Sequence, residues 1–338
     1  MENIKCKICG NIKDNKMYNI KEMHFGIGEV FEYFECSKCN CIQIKDIPEN
    51  LSLYYPVNYY SFNCINENYI SGIRERVHKY FKIKRDRQII DKSDLIGFII
   101  SKMKPVTNQK LNSLKDLNLK LSDNILDVGC GNGEFLYELK ELGFKNLKGI
   151  DPFLMKKTVY KNGLVIEKKR IEDLLDSENK FDLIMFHHVL EHIPNPMDIL
   201  KICYKLLNTK GVLLIRVPVS EALVWKEYRE NWVQLDAPRH LYIYSRNSIN
   251  LLAGESCFKI DNIVFDSNEF QFIASEQYKN GITLLNEKSY YVNVIKSGLS
   301  KEKIDYYKKL SKELNFKKEG DQAIFYLSKK NPAEKPLS

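Results

Sequence analysis

The stretch Asn124-Ile-Leu-Asp-Val-Gly-Cys-Gly-Asn-Gly-Glu-Phe135 constrains this chain more than any other. A short apolar run carrying Asp127 breaks into Gly129-x-Gly131-x-Gly133, and a helical pattern from Glu134 to Leu142 follows at once. The order predicted is strand, glycine-rich turn, helix. Glycines there let the backbone turn tightly and let a ligand lie directly against it. The next strand candidate, Leu147-Lys-Gly-Ile-Asp151, ends in a carboxylate placed to hold the two hydroxyls of a ribose.

A dinucleotide fingerprint reads G-x-G-x-x-G, because the pyrophosphate sits on the helix N-terminus. Here the third glycine comes one residue early and Asp127 precedes the first. An acid in that turn repels phosphate and suits a ligand with an ammonium group. S-adenosylmethionine, with an amino-acid end and a sulfonium, meets that requirement. The competing reading is an ordinary tight connection between strand and helix.

The segments that follow extend the pattern. Phe181-Asp-Leu-Ile-Met-Phe-His-His-Val-Leu-Glu-His-Ile-Pro-Asn-Pro196 reads as a buried strand running into a turn and a helix start. The helix continues from Leu200 to Leu207, with Gly211 as its stop signal, and Val212–Pro218 is the next strand. Residues 108–121 predict a leading amphipathic helix, and 164–169 a third strand. Taken together these motifs resemble the class I S-adenosylmethionine-dependent methyltransferases over roughly residues 105–330. Trp232-Val-Gln-Leu-Asp-Ala-Pro-Arg-His-Leu-Tyr242 and Tyr54-Tyr-Pro-Val-Asn-Tyr-Tyr60 are similar to the zinc-ribbon-bearing branch found among sugar and polysaccharide-biosynthesis methyltransferases.

The resemblance implies an α/β fold: a Rossmann-like, seven-stranded, mostly parallel sheet with helices on both faces, plus a small N-terminal zinc ribbon. It implies that Asp127, Gly129, Cys130, Gly131, Asn132, Gly133, Asp151, Ile171, Glu172, His187 and His188 contact the cofactor. The family often carries an acid where Arg170 stands, so recognition of the adenine amine falls to the backbone of Ile171 and to Glu172 or Asp173. These acids equally suit a helix cap. Ligands of open α/β sheets lie beyond the carboxyl ends of the strands, which puts His187 and His188 near the reaction centre.

His240 and His192 are the candidate general bases for methylating a hydroxyl. The alternative for His240 is a residue that braces its loop. Sugar C-methyltransferases with a zinc ribbon place a tyrosine, a glutamate and a histidine in this segment. Here the positions read Ala237, Arg239 and His240, which weakens the case for carbanion chemistry and leaves a hydroxyl acceptor at least as fitting, with an activated carbon still open. His188-x-x-Glu191-His192 resembles the E-x-x-E-H pattern with which quinone O-methyltransferases bind metal. A divalent ion at these three residues is left open without being favoured.

Cys6-x-x-Cys9-Gly10 and Cys36-x-x-Cys39 are two knuckle-like pairs with 26 residues between them. Each pair turns two sulfurs toward one point, and four thiolates make a closed tetrahedral zinc site, structural rather than catalytic. His24 and Cys41 fit as ligands less well. Nine cysteines, an odd number with four in such pairs, indicate a reducing compartment, and cytoplasmic localisation is expected.

The domain plan expected is a ribbon at 1–47, an aromatic and basic linker with a helical segment at 48–104, and a methyltransferase domain at 105–330. Substrate-binding insertions are placed at 219–244 and 267–320, and a flexible tail at 331–338. Tyrosines in 48–62 serve either as packing or as a lid over substrate. The basic run Arg74–Arg87 reads as a solvated helix face, with phosphate binding as the alternative.

Lys plus Arg at 52 against Asp plus Glu at 44 gives a net charge of +8, which tolerates an anionic substrate without demanding nucleic acid. No apolar run reaches the length of a membrane span and no signal-peptide pattern opens the chain. The acceptor expected is a small polar molecule, a sugar or nucleotide-linked sugar, and a homodimer is compatible with the sequence. An RNA methyltransferase gripping RNA through its ribbon is the first alternative. A non-catalytic cofactor-binding scaffold is the second.

Overall fold

The computed structural model describes residues 4–55, 72–92, 94–176 and 178–330. In chain order the elements are β1 (Lys16–Lys21), β2 (Val30–Glu35), β3 (Ile42–Ile44), α1 (Ile73–Arg87), α2 (Leu95–Met103), α3 (Gln109–Asn112), β4 (Asn124–Val128), α4 (Glu134–Glu141), β5 (Asn146–Ile150), β6 (Thr158–Val159), β7 (Val165–Glu167), β8 (Phe181–His187), α5 (Pro196–Leu206), β9 (Leu207–Pro218), α6 (Leu223–Tyr228), β10 (Tyr242–Ile243), α7 (Arg246–Glu255), β11 (Phe258–Phe265), α8 (Phe270–Lys279), α9 (Lys301–Lys317) and β12 (Gln322–Lys329). Two compact bodies emerge. One gathers residues 4–55, 188–204 and 214–330; the other gathers 72–187 and 205–213.

In the second body the strand order is β6-β7-β5-β4-β8-β9. β4 runs parallel to β5 and β8, with Asp127 level with Gly149 and Met185, and β5 runs parallel to β7. β6 is a two-residue antiparallel edge added to the expected set of strands. Leu126, Leu183, Ile184 and Met185 are wholly buried, as strands covered on both faces require. In the first body, the C-terminal half of β9 leads the order β9-β12-β11, closed by an antiparallel β11–β12 pair. The mostly parallel, Rossmann-like α/β sheet expected is therefore present.

A second sheet has the order β1-β2-β3-β10. β1, β2 and β3 form the antiparallel ribbon, and β10 pairs with β3 through Tyr242↔Gln43 and Ile243↔Ile42. This pairing explains why the ribbon, expected as a module of its own, shares a body with residues 188–204 and 214–330. A three-stranded ribbon has too little apolar area to bury alone. Ser220 Oγ donates to the Asn40 carbonyl at 2.5 Å, and Ser245 Oγ donates to the Cys39 carbonyl, so one knuckle is tied down directly.

Two local expectations are corrected. The helix predicted over 108–121 is one turn, α3, because Asp116 and Asn118 take left-handed φ values of +67° and +52° and break the run. Leu111 and Leu114 remain buried and keep the apolar anchor that suggested a helix. Gly211 does not stop the helix before it. α5 ends at Leu206 and β9 begins at the next residue, so Gly211 lies inside a strand. A Cβ there would stand 2.9 Å from the Phe181 carbonyl oxygen, so close backbone approach is what requires glycine. The tail at 331–338 and Tyr59 and Tyr60 lie outside the described residues.

Gly133 combines a φ of +79° with a Cβ position 2.5 Å from Ile166 Cδ1. Gly133→Ala is expected to lower the stability of this body by about 1–3 kcal/mol, read from the midpoint of denaturant unfolding at unchanged slope. An unshifted midpoint would show that Ile166 yields freely.

Candidate active site

The glycine turn lies in the second body. Gly129, Gly131 and Gly133 all have positive φ. The amides of Gly129 and Cys130 donate to the Ile150 carbonyl at 2.8 and 3.2 Å, which locks the turn onto the end of β5. Asp151 accepts from the Gly131 amide at 3.0 Å through Oδ2 and from the Phe153 amide at 2.9 Å through Oδ1. Burial pushes its carboxyl up, and the two amides oppose that. Each oxygen keeps a second lone pair, which is the capacity a ribose diol needs.

Asp127 is buried at 3% exposure, and burial pushes its carboxyl up to about 7, with Asp151 adding to the rise and Lys110 opposing it. A buried carboxylate poised to ionise is the partner an ammonium group would stabilise. Asn132 Oδ1 accepts from the Glu134 amide at 3.0 Å and starts α4, while the Asn132 carbonyl accepts from Tyr160 Oη at 2.5 Å. Ile171 is buried and Glu172 exposed on the short turn after β7. Asp173 accepts from the Arg170 amide at 2.9 Å, so this acid does act as a cap. His187, the last residue of β8, packs edge-on against Phe135 with centroids 5.4 Å apart.

A second group of residues forms wholly within the first body. His188 takes a left-handed φ of +57°, rare for a bulky residue and costly unless the surroundings enforce it. Its amide donates to the Arg216 carbonyl at 2.9 Å, and its Nδ1 stands 3.3 Å from Glu191 Oε1. Burial and the Arg216 charge lower the His188 basicity. The His188 ring, assigned by the resemblance to the cofactor, also stands beside Glu191. Glu191 is 0% exposed. Burial alone would raise its carboxyl, but the imidazoles of His188, His192 and His240 outweigh that and hold it below the usual range.

His192 and His240 face each other edge-on with centroids 4.7 Å apart. His192 Nδ1 lies 2.9 Å from the Arg239 carbonyl, and His240 Nδ1 lies 2.7 Å from the Gln234 carbonyl. A carbonyl can only accept, so both rings carry a proton on Nδ1. His240 Nε2 is 3.9 Å from Glu191 Oε1 and 3.7 Å from Asp236 Oδ2. Ligand atoms of Glu191, His192 and His240 lie within 4.8 Å of one another, so a divalent ion would be held by this trio rather than with His188.

Sequence reasoning missed the ring of support around these histidines. Tyr33 Oη donates to the His240 carbonyl at 2.9 Å, and Tyr55 Oη lies 3.0 Å from His192 Nδ1. Arg239 donates to Asp236 at 2.5 Å and to His24 Nδ1 at 2.6 Å, so that nitrogen is the acceptor. His24, a weak candidate for metal, is thus engaged with Arg239. The segments interlock further: the Leu241 amide donates to the Glu191 carbonyl at 2.8 Å, and Tyr244 Oη donates to the Leu190 carbonyl at 3.0 Å. The loop aromatics Trp225, Trp232 and Tyr242 are 1–2% exposed, so they form core and do not line a binding surface. The acid at 236, four residues before His240, was the signal available for part of this ring.

The four cysteines converge. Cys6 and Cys39 sulfurs are 3.6 Å apart, Cys9 and Cys36 sulfurs 3.5 Å, and all four lie within 4.8 Å of one another. Zinc–sulfur bonds of ~2.3 Å put tetrahedral sulfurs ~3.8 Å apart, so the donor set fits zinc. Both knuckles close on a left-handed residue, Gly10 and Asn40. The Cys39 thiol, the Cys9 amide and the Gln43 side-chain amide, the last at 2.9 Å, bring the Cys6 thiol down to about 4. Cys41 is buried, and burial pushes its thiol well up, which keeps it protonated.

Residues 73–262 match the family described as methyltransferase domain, and the chain belongs to that family. It is similar to the tRNA U34 carboxymethyltransferase of Sulfurimonas denitrificans, 36% identical over 117 residues covering 32% of this chain and 39% of that protein. It is also similar to the ubiquinone biosynthesis O-methyltransferase of Actinobacillus pleuropneumoniae, 34% identical over 31% of this chain and 47% of that protein. The chain thus spans less than half the length of these curated relatives. A SAM dependent methyltransferase structure from Archaeoglobus fulgidus matches 62% of this chain and 86% of its own at 21% identity and a TM-score of 0.38.

Burial, then the His240 charge, lowers His192 to about 4. Below an unfolded value near 6.5 the unfolded chain takes a proton that the folded chain refuses, so this residue withdraws stability as the pH falls toward about 4. His192→Asn is therefore expected to lose about 1–3 kcal/mol less stability than the parent between about pH 7 and pH 4.5. Parallel stability–pH curves for the two proteins would contradict this.

Proposed function

We propose that this protein transfers a methyl group from S-adenosylmethionine to a hydroxyl of a small polar acceptor, with a histidine as general base. The observation that carries the reading is the pair His192 and His240. A backbone carbonyl holds Nδ1–H of each, leaving an Nε2 lone pair beside ionised, buried Glu191. Asp127, Gly129, Cys130, Gly131, Asn132, Gly133, Asp151, Ile171, Glu172, His187 and His188 are assigned to hold the donor. The bound sulfonium supplies an electrophilic methyl carbon with a good leaving group, so positioning is the larger part of the task. His240 Nε2 takes the hydroxyl proton, and Glu191 and Asp236 stabilise the imidazolium that results. Glu191 and the fixed ring of His192 keep the acceptor oxygen oriented.

The resemblance of the Trp232–Tyr242 segment supports a sugar or nucleotide-linked sugar as acceptor. The relatives named for tRNA carboxymethyl transfer support a second reading, with RNA as acceptor. The Glu191, His192 and His240 trio supports a divalent ion as an alternative occupant, which would take the His240 Nε2 lone pair from proton transfer. For the four-cysteine site we propose a structural zinc.

Calorimetric titration with S-adenosylhomocysteine, then with nucleotide sugars, hydroxylated aromatics and tRNA on the product-bound protein, separates these readings. Heat with a sugar nucleotide supports the first, and salt-sensitive tRNA binding without it the second. A folded protein that binds the cofactor but methylates none of the panel would leave the scaffold reading ahead. His240→Asn is expected to lower turnover by about 10²- to 10⁴-fold with donor affinity unchanged, and equal turnover would remove His240 from the chemistry. Metal analysis is expected to find zinc that Cys36→Ser loses. Because β3 carries β10, that variant should lose turnover while retaining donor binding; retained turnover without zinc would separate the ribbon from catalysis.

A further inference from the structure

α1 and α2 form a helical hairpin inside the second body. α2 rests on α1 through Gly97, where a Cβ would clash with the Lys84 carbonyl oxygen. The inner side of α1 is anchored by Lys82 to Glu138 at 3.2 Å and by Lys79 to Glu141. The outer side is not what a solvated face looks like. Ile73, Val77, Tyr80 and Phe81 recur at helical spacing and are 82%, 47%, 50% and 44% exposed. On α2, Leu95, Ile96, Phe98, Ile99 and Met103 are exposed by 72%, 48%, 48%, 53% and 82%. Nine large apolar side chains are thus held out on one hairpin, a concentration that marks an interaction surface.

The charge on the same segment says what kind. Residues 73–104 contain ten Lys and Arg against four Asp and Glu, so they hold six of the eight net positive charges of the chain. Arg74, Arg76, Lys102 and Lys104 are exposed around the apolar side chains. We infer that this hairpin docks the enzyme on an anionic phospholipid surface, with the apolar face of α2 and the outer stripe of α1 lying among the headgroups.

Apolar side chains rimmed by Lys and Arg are the composition of helices that lie in a bilayer interface. α2, at nine residues and ~14 Å, is far too short to cross and long enough to lie flat. No helix among the described residues is long and apolar enough to span. Nucleic acid would use the cations but gain nothing from Leu95, Ile96, Ile99 and Met103. A second copy would use the apolar face but bring like charges together across a two-fold axis. An anionic bilayer satisfies both components at once, each basic residue near the surface adding to the attraction.

Sedimentation with vesicles tests this. Binding to phosphatidylcholine–phosphatidylglycerol vesicles that weakens with salt, and little binding to phosphatidylcholine alone, is the expected result. The pair Phe98→Glu with Ile99→Glu should reduce binding about tenfold or more, with unchanged thermal unfolding and S-adenosylhomocysteine affinity as the check on folding. Phe98→Trp, a mild change, should show a blue-shifted emission with anionic vesicles and not with neutral ones. Absence of vesicle binding and of the shift would overturn the inference. So would self-association that the glutamate pair abolishes, or tRNA binding in place of lipid binding.

Discussion

The antiparallel pairing of β3 with β10 is the constraint on which the candidate site depends. Two residues of each strand are involved, Gln43 with Tyr242 and Ile42 with Ile243. On the ribbon side, the same Gln43 donates to the Cys6 sulfur and accepts from the Lys7 amide. On the other side, Leu241 donates to the Glu191 carbonyl and His240 presents its carbonyl to Tyr33. A hydrogen-bonded path therefore runs from the thiolate cluster to the histidines in a few steps. The four-cysteine ribbon reads as scaffold for the imidazoles, which gives a physical reason for such a ribbon in a chain of this family.

The histidine cluster concentrates opposing electrostatic demands in a small volume. Glu191 is fully buried yet held ionised, and Asp236 is held well down despite burial by Arg239 and the neighbouring histidines. His192 is held neutral. A neutral base next to an ionised acid is the arrangement general-base chemistry needs: burial keeps His192 neutral, while the neighbouring histidines hold Glu191 ionised against burial. The left-handed His188 is consistent with a backbone forced into place to bring Glu191 inward.

What could be read from the sequence follows from how local each signal is. The glycine turn and Asp151 lie within about 25 residues and obey a strand–turn–helix grammar, so they were legible. The four cysteines were legible because metal geometry fixes their spacing. His192 and His240 were found by residue type and position, but Asp236, Arg239, His24 and Tyr55 were not. His24 and Tyr55 meet their partners across more than a hundred residues, which nothing local records; the Asp236 contacts to Arg239 and His240 are close in sequence and went unread. Trp225 and Trp232 suit both a binding surface and a core, and the ribbon packed on Trp225 decides for core. Gly211 misled because a glycine after a helix serves either as a stop or as room for a neighbouring backbone.

The bond from Tyr33 to the His240 carbonyl joins residues 207 positions apart. Closing so long a loop is slow, because its entropy must be lost before the contact is gained. As the chain emerges from the ribosome, the ribbon is complete early. It then waits with β3 as an open strand edge until residues beyond Tyr242 have been made. During that interval the edge is exposed to pairing with other chains, so the ribbon, made early, is the part most in need of protection.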